Sequence, residues 1–466
     1  MNNTIKIFKE LSKIPRPSGK EEKVKDFLIK FAKENNLEYI EDKSYNVIIK
    51  KKSNKTNCNK TLILQAHSDM VCEKNNDTDF DFDTMNINLV EDGDFLHAKG
   101  TTLGADNGIG LSMILSVLSD DTLKIPNLEC IFTTQEETTM QGAIDLDFKN
   151  IKGNHLLSID GTDEGKIEVS SAGMVVANLS KKYKLEKIDK SNLYEITISG
   201  LKGGHSGTEI NTNRENAIKI LFDILSNYKK KLQILSLYGG GKSNAIPREC
   251  TCIISTNESY NNLLNVANNT VDKYKNNEPN ISTQITVINA NDKLCLNNED
   301  SKSLIEFINN YKNGVLVYSK NKPNFPISSC NLANISLKNE NLNIIVSLRS
   351  SLKTQEKEYL NKLFNLADNY NLQNKVLSTA PFFEKKENSY LQELCKNSYK
   401  ELFNVEAQIE GVHAGLEGGV FANKKEDIDI CVIAPNIYDA HSPQERVSIS
   451  SINRVYKWLE KIVENF

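Results

Sequence analysis

Three short apolar runs of the chain each lead directly into a His, Asp or Glu residue. They are residues 61–66, 128–132 and 155–159. A fourth run, 428–433, precedes a loop that carries His441. Runs of this length are typical of strands that are buried on both faces of a sheet. We therefore expect four buried strands whose ends carry the chemistry.

Helical spacing of apolar residues marks other parts of the chain. Residues 3–35 show it twice, with a Pro- and Gly-containing break at 15–19 between two helices. The same spacing recurs in 390–402 and 449–466. Because strand and helix patterns alternate, the sequence predicts an α/β fold with a sheet at its centre.

A change of pattern divides the chain. From about residue 171 to 378 it becomes shorter alternating strands, amphipathic helices and loops rich in Asn and Lys. A chain of 466 residues also exceeds the size of a single core, which is roughly 250 to 300 residues. We predict a discontinuous domain made of 1–172 and 380–466, interrupted by an inserted α/β domain at 173–379.

Composition excludes several classes of partner. The net charge of −4, from 57 basic and 61 acidic residues, gives no basic field for nucleic acid or an anionic membrane. No apolar window approaches a membrane span, and the start of the chain has no signal-peptide pattern. Nine scattered cysteines fit reduced thiols better than a disulfide framework. These features predict a soluble, cytoplasmic protein.

Asp106 lies in the Gly-rich stretch 100–110, where a turn becomes an apolar helix. One interpretation is a helix N-cap, in which its side chain accepts bonds from first-turn amides. The other is a carboxylate that bridges two metal ions with its two oxygens. Both are compatible with a side chain held at a helix start.

The predicted strand ends supply partners for Asp106. His67 and Asp69 follow the first strand two residues apart, so an extended backbone places them on the same side. Glu136 and Glu137 follow the second strand, and Asp160 follows the third. A hydrogen-bonded His and a solvated acidic turn are the simpler interpretations. Ligand sites of open α/β sheets form outside the carboxyl ends of the strands, however, and this recurrence indicates a metal site.

The inserted region carries its own candidates. His205 lies among glycines that allow close backbone approach to a ligand, although such segments are often only turns. Arg349 ends an apolar strand and either reaches to solvent from an edge or binds a carboxylate. The sequence leaves these alternatives open.

Several motifs in a fixed order resemble a known family. They are His67-Ser-Asp-Met-Val-Cys-Glu-Lys74, Gly100-Thr-Thr-Leu-Gly-Ala-Asp-Asn-Gly108, Gly203-Gly-His-Ser-Gly207, His413-Ala-Gly-Leu-Glu417 and His441-Ser-Pro-Gln-Glu445. Together they resemble the co-catalytic zinc aminoacylase/carboxypeptidase family, and within it the aminoacyl-histidine dipeptidases, over nearly the whole chain.

The resemblance implies a di-zinc peptidase domain with an inserted lid, and a role for each matching residue. Asp106 would bridge two zinc ions, for which manganese or cobalt could substitute. The other implied ligands are His67 and Asp160 on one ion, and Glu137 and His441 on the other. Asp69 would orient His67, and Glu136 would be the general base for a hydroxide shared by the ions.

The resemblance also implies how a small peptide substrate is bound. The implied substrate-binding residues are His205, Asn244, Arg349, His413 and Glu417. His205 would stabilise the oxyanion from the lid of the same chain or across a homodimer, with Asn244 and Arg349 near the substrate carboxylate. Closure of the lid would bring His205 and Arg349 to the ions.

Departures from the family pattern affect specificity. Gln135, Gly161-Thr162, Gly418-Gly419 and Ala434 replace residues that are usual in relatives, but none is an implied ligand or the base. The expected function is therefore hydrolysis of dipeptides, with a preference for Xaa-His that includes β-alanyl-His. The alternatives are an N-acyl-amino-acid or tripeptide hydrolase on the same scaffold, and a metal-dependent binding module without catalysis.

Overall fold

The computed structural model describes residues 3–188, 192–228, 232–288, 293–320 and 322–466. The chain forms two compact units. Unit 1 comprises 1–171, 382–412 and 416–466, and unit 2 comprises 172–381 together with 413–415. The short segment 413–415 thus belongs to unit 2, although the chain on both sides of it belongs to unit 1. The proposed roles of the inserted region as lid and dimerisation domain stay predictions.

Helices and strands are numbered in chain order over the described residues. The helices are α1 Asn3–Leu11, α2 Glu22–Glu34, α3 Ala105–Ser119, α4 Gln141–Asp145, α5 Ala217–Ser226, α6 Tyr260–Asp272, α7 Asn298–Asn310, α8 Lys353–Asn369, α9 Tyr390–Phe403, α10 Gly418–Lys424 and α11 Ile449–Asn465. The strands are β1 Glu38–Glu41, β2 Val47–Lys51, β3 Thr61–His67, β4 Leu89–Asp92, β5 Phe95–Ala98, β6 Asn127–Thr133, β7 His155–Ser158, β8 Lys166–Glu168, β9 Gly173–Lys182, β10 Glu186–Lys187, β11 Asn192–Ser199, β12 Gly204–His205, β13 Leu232–Gly240, β14 Ala245–Ile246, β15 Cys250–Thr256, β16 Ser282–Val287, β17 Leu294–Cys295, β18 Gly314–Tyr318, β19 Pro326–Lys338, β20 Asn341–Ser350, β21 Gln373–Ala380, β22 Gln408–Glu410, β23 Asp429–Val432, β24 Ile437–Tyr438 and β25 Arg446–Ser448.

Unit 1 is built on an eight-stranded mixed sheet in the order β1-β2-β6-β3-β7-β23-β8-β22. Its centre is parallel, because β3 pairs in parallel with both β6 and β7, and β7 with β23. Alternate residues of β3 contribute to different cores: Leu62 and Leu64 to one cluster, and Ile63 to another. The sheet is therefore covered on both faces, and the four predicted buried strands are confirmed.

The predicted helices of unit 1 are also confirmed. Helices α1 and α2 are separated by an irregular segment that contains the predicted break. In α11 the residues Ile452, Val455, Leu459 and Ile462 follow helical spacing and are fully buried. In contrast, α3 is buried on nearly all sides, which explains its almost entirely apolar sequence.

A second, four-stranded sheet in unit 1 has the order β24-β25-β5-β4. Strand β25 pairs antiparallel with both β24 and β5, so the loop from 439 to 445 leaves and rejoins this sheet. His441 lies in that loop with a positive φ of 64°. The sheet thereby anchors the late segment of the chain that carries His441.

Unit 2 contains a nine-stranded antiparallel sheet in the order β16-β11-β15-β13-β19-β20-β9-β21, with β18 paired to β19. Helices α5 to α8 contribute to its core. Cys250 and Cys252 are buried in this core, as expected for packing residues. Strands β12 and β14 form a separate two-stranded ribbon that carries His205. Both units combine helices with sheets, so the predicted α/β class is confirmed.

Among the described residues, no helix combines the length and the apolar character that crossing a membrane requires.

Candidate active site

Parallel strands bring four of the predicted site residues to one edge of the unit 1 sheet. His67 ends β3 and is paired in register with Thr133, the last residue of β6. Glu136 and Glu137 follow β6, and Asp160 follows β7 by two residues. The carboxyl ends of neighbouring parallel strands meet at the same edge, so distant parts of the sequence become neighbours there.

Asp106 is not the N-cap of α3. The cap position is Gly104, and Asp106 has non-helical backbone angles within the first turn. Its peptide bond to Asn107 is cis. The expectation that first-turn amides hold the Asp106 carboxylate is therefore wrong. The Asp106 N–H instead donates to Glu445 Oε1 at 3.2 Å, which leaves both carboxylate oxygens available for the site.

Glu445 and Arg16 hold the turn before Asp106. The Glu445 carboxylate also accepts bonds from the amides of Leu103 at 2.8 Å and Gly104 at 2.9 Å. The buried Arg16 guanidinium donates to the carbonyls of Gly104 and Asp69, the latter at 2.8 Å. Arg16 thus connects the segment that follows β3 with the turn that carries Asp106. Charge-assisted bonds of this kind are the stronger ones in proteins, so both segments are well fixed.

The two oxygens of Asp106 face different imidazoles. Oδ1 lies 3.2 Å from Nε2 of His67, and Oδ2 lies 3.2 Å from Nε2 of His441. Asp160 Oδ1 lies 3.3 Å from His67 Nε2, and Glu137 Oε1 lies 3.0 Å from His441 Nε2. The site therefore consists of two groups, each with one imidazole and one carboxylate, and Asp106 joins them.

The donor set of this site fits divalent metal ions. Ligand atoms of His67, Asp106 and Glu137 all lie within 4.8 Å of one another. His67 Nδ1 is buried without a hydrogen bond, at 3.4 Å from Asp69 Oδ1. Crowded carboxylates repel one another unless cations balance their charge, and imidazole nitrogens with carboxylate oxygens are the usual ligands of zinc. The residues can therefore hold a metal ion.

Titration of the site follows from this crowding. Burial would lower the pKa of His67, but Asp160, Asp106 and Asp69 together raise it well above its usual range. Hydrogen bonds to Asp106 and Glu137 raise the pKa of His441 to about 11. Burial, reinforced by neighbouring carboxylates, raises the pKa of Asp160 to about 6. Without bound metal, both imidazoles carry a proton at neutral pH.

Asp69 connects the first strand end with the loop after β6. Its carboxylate accepts bonds from the amides of Glu136 at 3.1 Å and Glu137 at 3.2 Å, and from the Ser18 hydroxyl at 2.6 Å. Although burial opposes it, contact with His67 lowers the pKa of Asp69. Asp69 therefore stays ionised, and it positions both the imidazole beside it and the two glutamates.

Glu136 is the carboxylate of the site that has no imidazole partner. Burial, together with the charges of Asp160 and Glu137, raises its pKa well above the usual range. A carboxylate with a raised pKa next to a metal site can take a proton from water near neutral pH. Its role as the general base stays a prediction.

Glu417 lies beneath this site and is fully buried within unit 1. Its Oε2 accepts bonds from Gln65 Nε2 at 2.7 Å and from the Thr133 hydroxyl at 2.5 Å. Burial raises the pKa of Glu417 to about 8. A role for Glu417 in substrate binding stays a prediction. The enclosure of its side chain does not favour direct contact with a substrate.

The other four predicted substrate-binding residues lie together in unit 2. Arg349 Nη2 lies 3.4 Å from His205 Nε2, and the Ser206 amide, next to His205, donates to the Asn244 carbonyl at 2.8 Å. His413 is buried, and its Nε2 lies 2.7 Å from the Ser329 hydroxyl. Burial, helped by Arg349 and His205, lowers the pKa of His413 to about 3. His413 is therefore neutral.

Arg349 is 5% exposed, and its Nε makes no hydrogen bond. Burial lowers its pKa to about 10, so the guanidinium remains charged at neutral pH. Within the part of the chain that the structure describes, no carboxylate forms an ion pair with it. A buried cation without a counter-ion is costly. Of the two interpretations of Arg349, binding of an anionic ligand is favoured.

Several residues of the site were missed by sequence reasoning. Arg16 and Ser18 lie in the predicted break at 15–19, and Glu21 lies two residues beyond it. Asn107 donates to Asp160 Oδ1 at 2.8 Å. A polar sequence that contains Arg and Glu between two apolar helices was the available signal. Apart from the Gly19 amide, which donates to Glu21, the partners of these side chains lie between 51 and 114 positions away, and local patterns do not reveal them.

The fold and this site define a metal-dependent hydrolase. A mixed sheet gathers imidazoles and carboxylates at its strand ends. The chain belongs to the peptidase family M20/M25/M40, whose sequence profile matches residues 63–465. It is accordingly a metallopeptidase, a hydrolase that acts on peptide bonds, and the predicted enzyme class is confirmed.

Individual relatives agree with this membership. The chain is 31% identical to the cytosol non-specific dipeptidase of Escherichia coli (strain K12), over 98% of this chain and 96% of that protein. It matches the crystal structure of aminoacylhistidine dipeptidase from Vibrio alginolyticus with a TM-score of 0.88 and 29% identity, over 100% of this chain and 96% of the other. Aminopeptidase PepT from Bacillus cereus matches at 14% identity and a TM-score of 0.59, over 99% and 97% of the two chains, and shares the fold.

Proposed function

We propose that the protein is a di-zinc dipeptidase that hydrolyses unblocked dipeptides with a preference for Xaa-His, including β-alanyl-His. The observation that carries this proposal is the arrangement of Asp106, whose two oxygens face the Nε2 atoms of two different imidazoles. Such a carboxylate suits two ions at once. The names of the two relatives, a non-specific dipeptidase and an aminoacylhistidine dipeptidase, support the dipeptide substrate.

Each ion has its own proposed ligands in addition to Asp106. His67 and Asp160 would hold one ion, and His441 and Glu137 would hold the other. Nitrogen and oxygen ligands suit zinc, although manganese or cobalt can occupy sites of this kind. When bound, the ions polarise the scissile carbonyl and lower the pKa of water.

Glu136 would carry the proton through the reaction. It takes a proton from the attacking water at its carboxylate and passes it to the leaving amine. Asp69 assists by holding the Glu136 amide at 3.1 Å, which fixes the base relative to His67. A binding module without catalysis would have no use for such a base, which argues against that alternative.

Arg349 would recognise the carboxylate of the substrate. A guanidinium forms two parallel bonds with a carboxylate, and Arg349 is buried without such a partner among the described residues. His205 and Asn244 would complete the recognition of substrate and oxyanion. This requirement for a free carboxylate favours substrates cleaved next to their C-terminal residue.

We further propose that the protein acts in the cytosol as a homodimer. The cytosolic location rests on the name of the relative from Escherichia coli. The proposal of a dimer rests on the family resemblance. In a dimer, His205 could act in the site of its own chain or in that of its partner. Size-exclusion chromatography with light scattering measures the oligomeric state.

A panel of substrates tests the proposed specificity. Ala-His and β-Ala-His should be cleaved with higher kcat/KM than Ala-Ala, whereas a tripeptide and N-acetyl-His should be cleaved at least about tenfold more slowly. The proposed preference for unblocked dipeptides predicts this order, because an extra residue or an acetyl group changes the size and charge of the part of the substrate beyond the scissile bond. Preferred cleavage of the tripeptide or of the N-acetylated amino acid would instead support the alternative hydrolase.

Metal binding should release protons. His67 and His441 are protonated at pH 7 in protein stripped of metal, and only neutral imidazole binds a metal. Loading two ions should therefore release about two protons per chain at pH 7. Because the pKa values are raised, apparent affinity should rise with pH by about tenfold per proton released for each pH unit. Titration calorimetry in buffers of different ionisation enthalpy measures this number, and a value near zero contradicts the assignment.

A further inference from the structure

Glu21 is a buried carboxylate that the reaction as described does not use. It is 1% exposed and precedes α2 directly. Its Oε1 accepts bonds from two backbone amides, those of Gly19 at 2.8 Å and Gln135 at 3.0 Å. Its Oε2 is buried and has no hydrogen-bond partner. Burying a carboxylate is costly. The burial of Glu21 therefore indicates a role for its carboxylate other than capping a helix.

Gln135 is the residue directly before the proposed base. Its φ of 55° lies in the left-handed region, which a residue with a side chain adopts at a cost. Its neighbours Glu136 and Glu137 have their amides bound to Asp69. Three consecutive amides of this loop are therefore held by two buried carboxylates.

The two carboxylates that bind this loop belong to different segments of the chain. Asp69 follows β3, whereas Glu21 belongs to the segment before α2, where Ser18 also donates to Asp69 at 2.6 Å. Without the bond to Glu21, the Gln135 amide would lose its acceptor. The left-handed turn would then be held only by the bonds that the Gln135 carbonyl accepts from the amides of Thr139 and Met140, and by those that Asp69 accepts. The backbone before Glu136 would then relax, and the direction of the Glu136 side chain would change with it.

We propose that Glu21 is a positioning residue for Glu136. Through the Gln135 amide it fixes the backbone from which the base projects, while Asp69 fixes the base from the following side. This inference rests on the proposed function, because it assumes that Glu136 moves the proton. What matters at position 21 is an oxygen at the correct reach and not the negative charge, since only one oxygen of Glu21 is used.

Two conservative variants separate reach from charge. Glu21→Gln keeps an acceptor oxygen at the same distance and removes the charge, so its kcat should stay within about threefold of the original protein. Glu21→Asp keeps the charge and withdraws the oxygen by one methylene, so its kcat should fall about 10- to 100-fold, since misplacement by about 1 Å can cost that much. In both variants KM should stay within about threefold and the metal content should be unchanged. Glu22→Ala, at the exposed neighbouring glutamate, is the matched control and should have no effect.

The opposite order of activities, with Glu21→Gln slower than Glu21→Asp, would overturn the proposal, as would loss of metal from Glu21→Asp. A double-variant cycle tests whether Glu21 acts through Glu136. In a Glu136→Gln background, Glu21→Asp should lower kcat by less than about threefold, because the carboxylate that Glu21 positions is already absent. A full additional loss there would show that Glu21 does not act through Glu136. A Glu136→Gln protein with normal turnover would instead refute the proposed mechanism itself, which keeps the two failures distinct.

Discussion

Glu136→Gln should lower kcat by about 10²- to 10⁴-fold while the protein keeps its bound metal. The amide has nearly the same shape as the carboxylate but cannot accept a proton from water. Glu136 has no imidazole partner in the site, so its replacement leaves the two proposed ligand groups around Asp106 complete. Steady-state kinetics on the preferred dipeptide, with metal analysis of the same sample, measures both quantities.

Asp145→Asn is a suitable control for this substitution, because Asp145 is an exposed carboxylate in the same stretch of chain. It should retain normal kcat and metal content. If the kcat of Glu136→Gln stayed within a few-fold of that of the unsubstituted protein, Glu136 would not be the base. Loss of metal from Glu136→Gln would show instead that this residue is a ligand.

Asp106→Ala should remove both ions together. Asp106 is the only residue proposed as a ligand in both groups, with one oxygen facing each imidazole, so the substitution removes one ligand from each ion. Residues that merely support a ligand are worth about 10- to 100-fold in metal affinity, so the loss here should exceed about 100-fold. Metal content after gel filtration should fall well below two ions per chain, and dipeptide hydrolysis should fall to background.

Asp121→Ala provides the matched control, because Asp121 lies just beyond the opposite end of α3 and its side chain is 93% exposed. Its metal content should be unchanged. If Asp106→Ala still held two ions tightly, Asp106 would not be the shared ligand. A loss of one ion only would assign Asp106 to a single site.

The sequence predicted the strand ends of this fold well. Residues 61–66, 128–132 and 155–159 are mostly apolar, and burial on both faces of a parallel sheet favours such runs. The polar residues that follow them had to lie at the same edge. The sequence alone therefore groups His67, Glu136, Glu137 and Asp160.

The interpretation of Asp106 as a helix N-cap is wrong because local rules do not include distant partners. An Asp at the start of an apolar helix is a good N-cap by its own chemistry. Here Glu445 takes that role for the amides of Leu103, Gly104 and Asp106 itself. Arg16 and Glu21 escaped notice for the same reason, since each contacts backbone groups that only the folded chain brings near.

The bond between Glu445 and the turn at Leu103 spans 342 positions of the chain. During synthesis, the ribosome would therefore have made the whole of unit 2 and most of unit 1 before Glu445 or His441 could reach the turn. Closing so long a loop carries an entropic cost that only the completed native contacts offset. We expect nascent chains that end before residue 441 to hold metal weakly, and the active centre to form only after residues 441–445 have been synthesised. Incomplete chains would then have no peptidase activity while still attached to the ribosome.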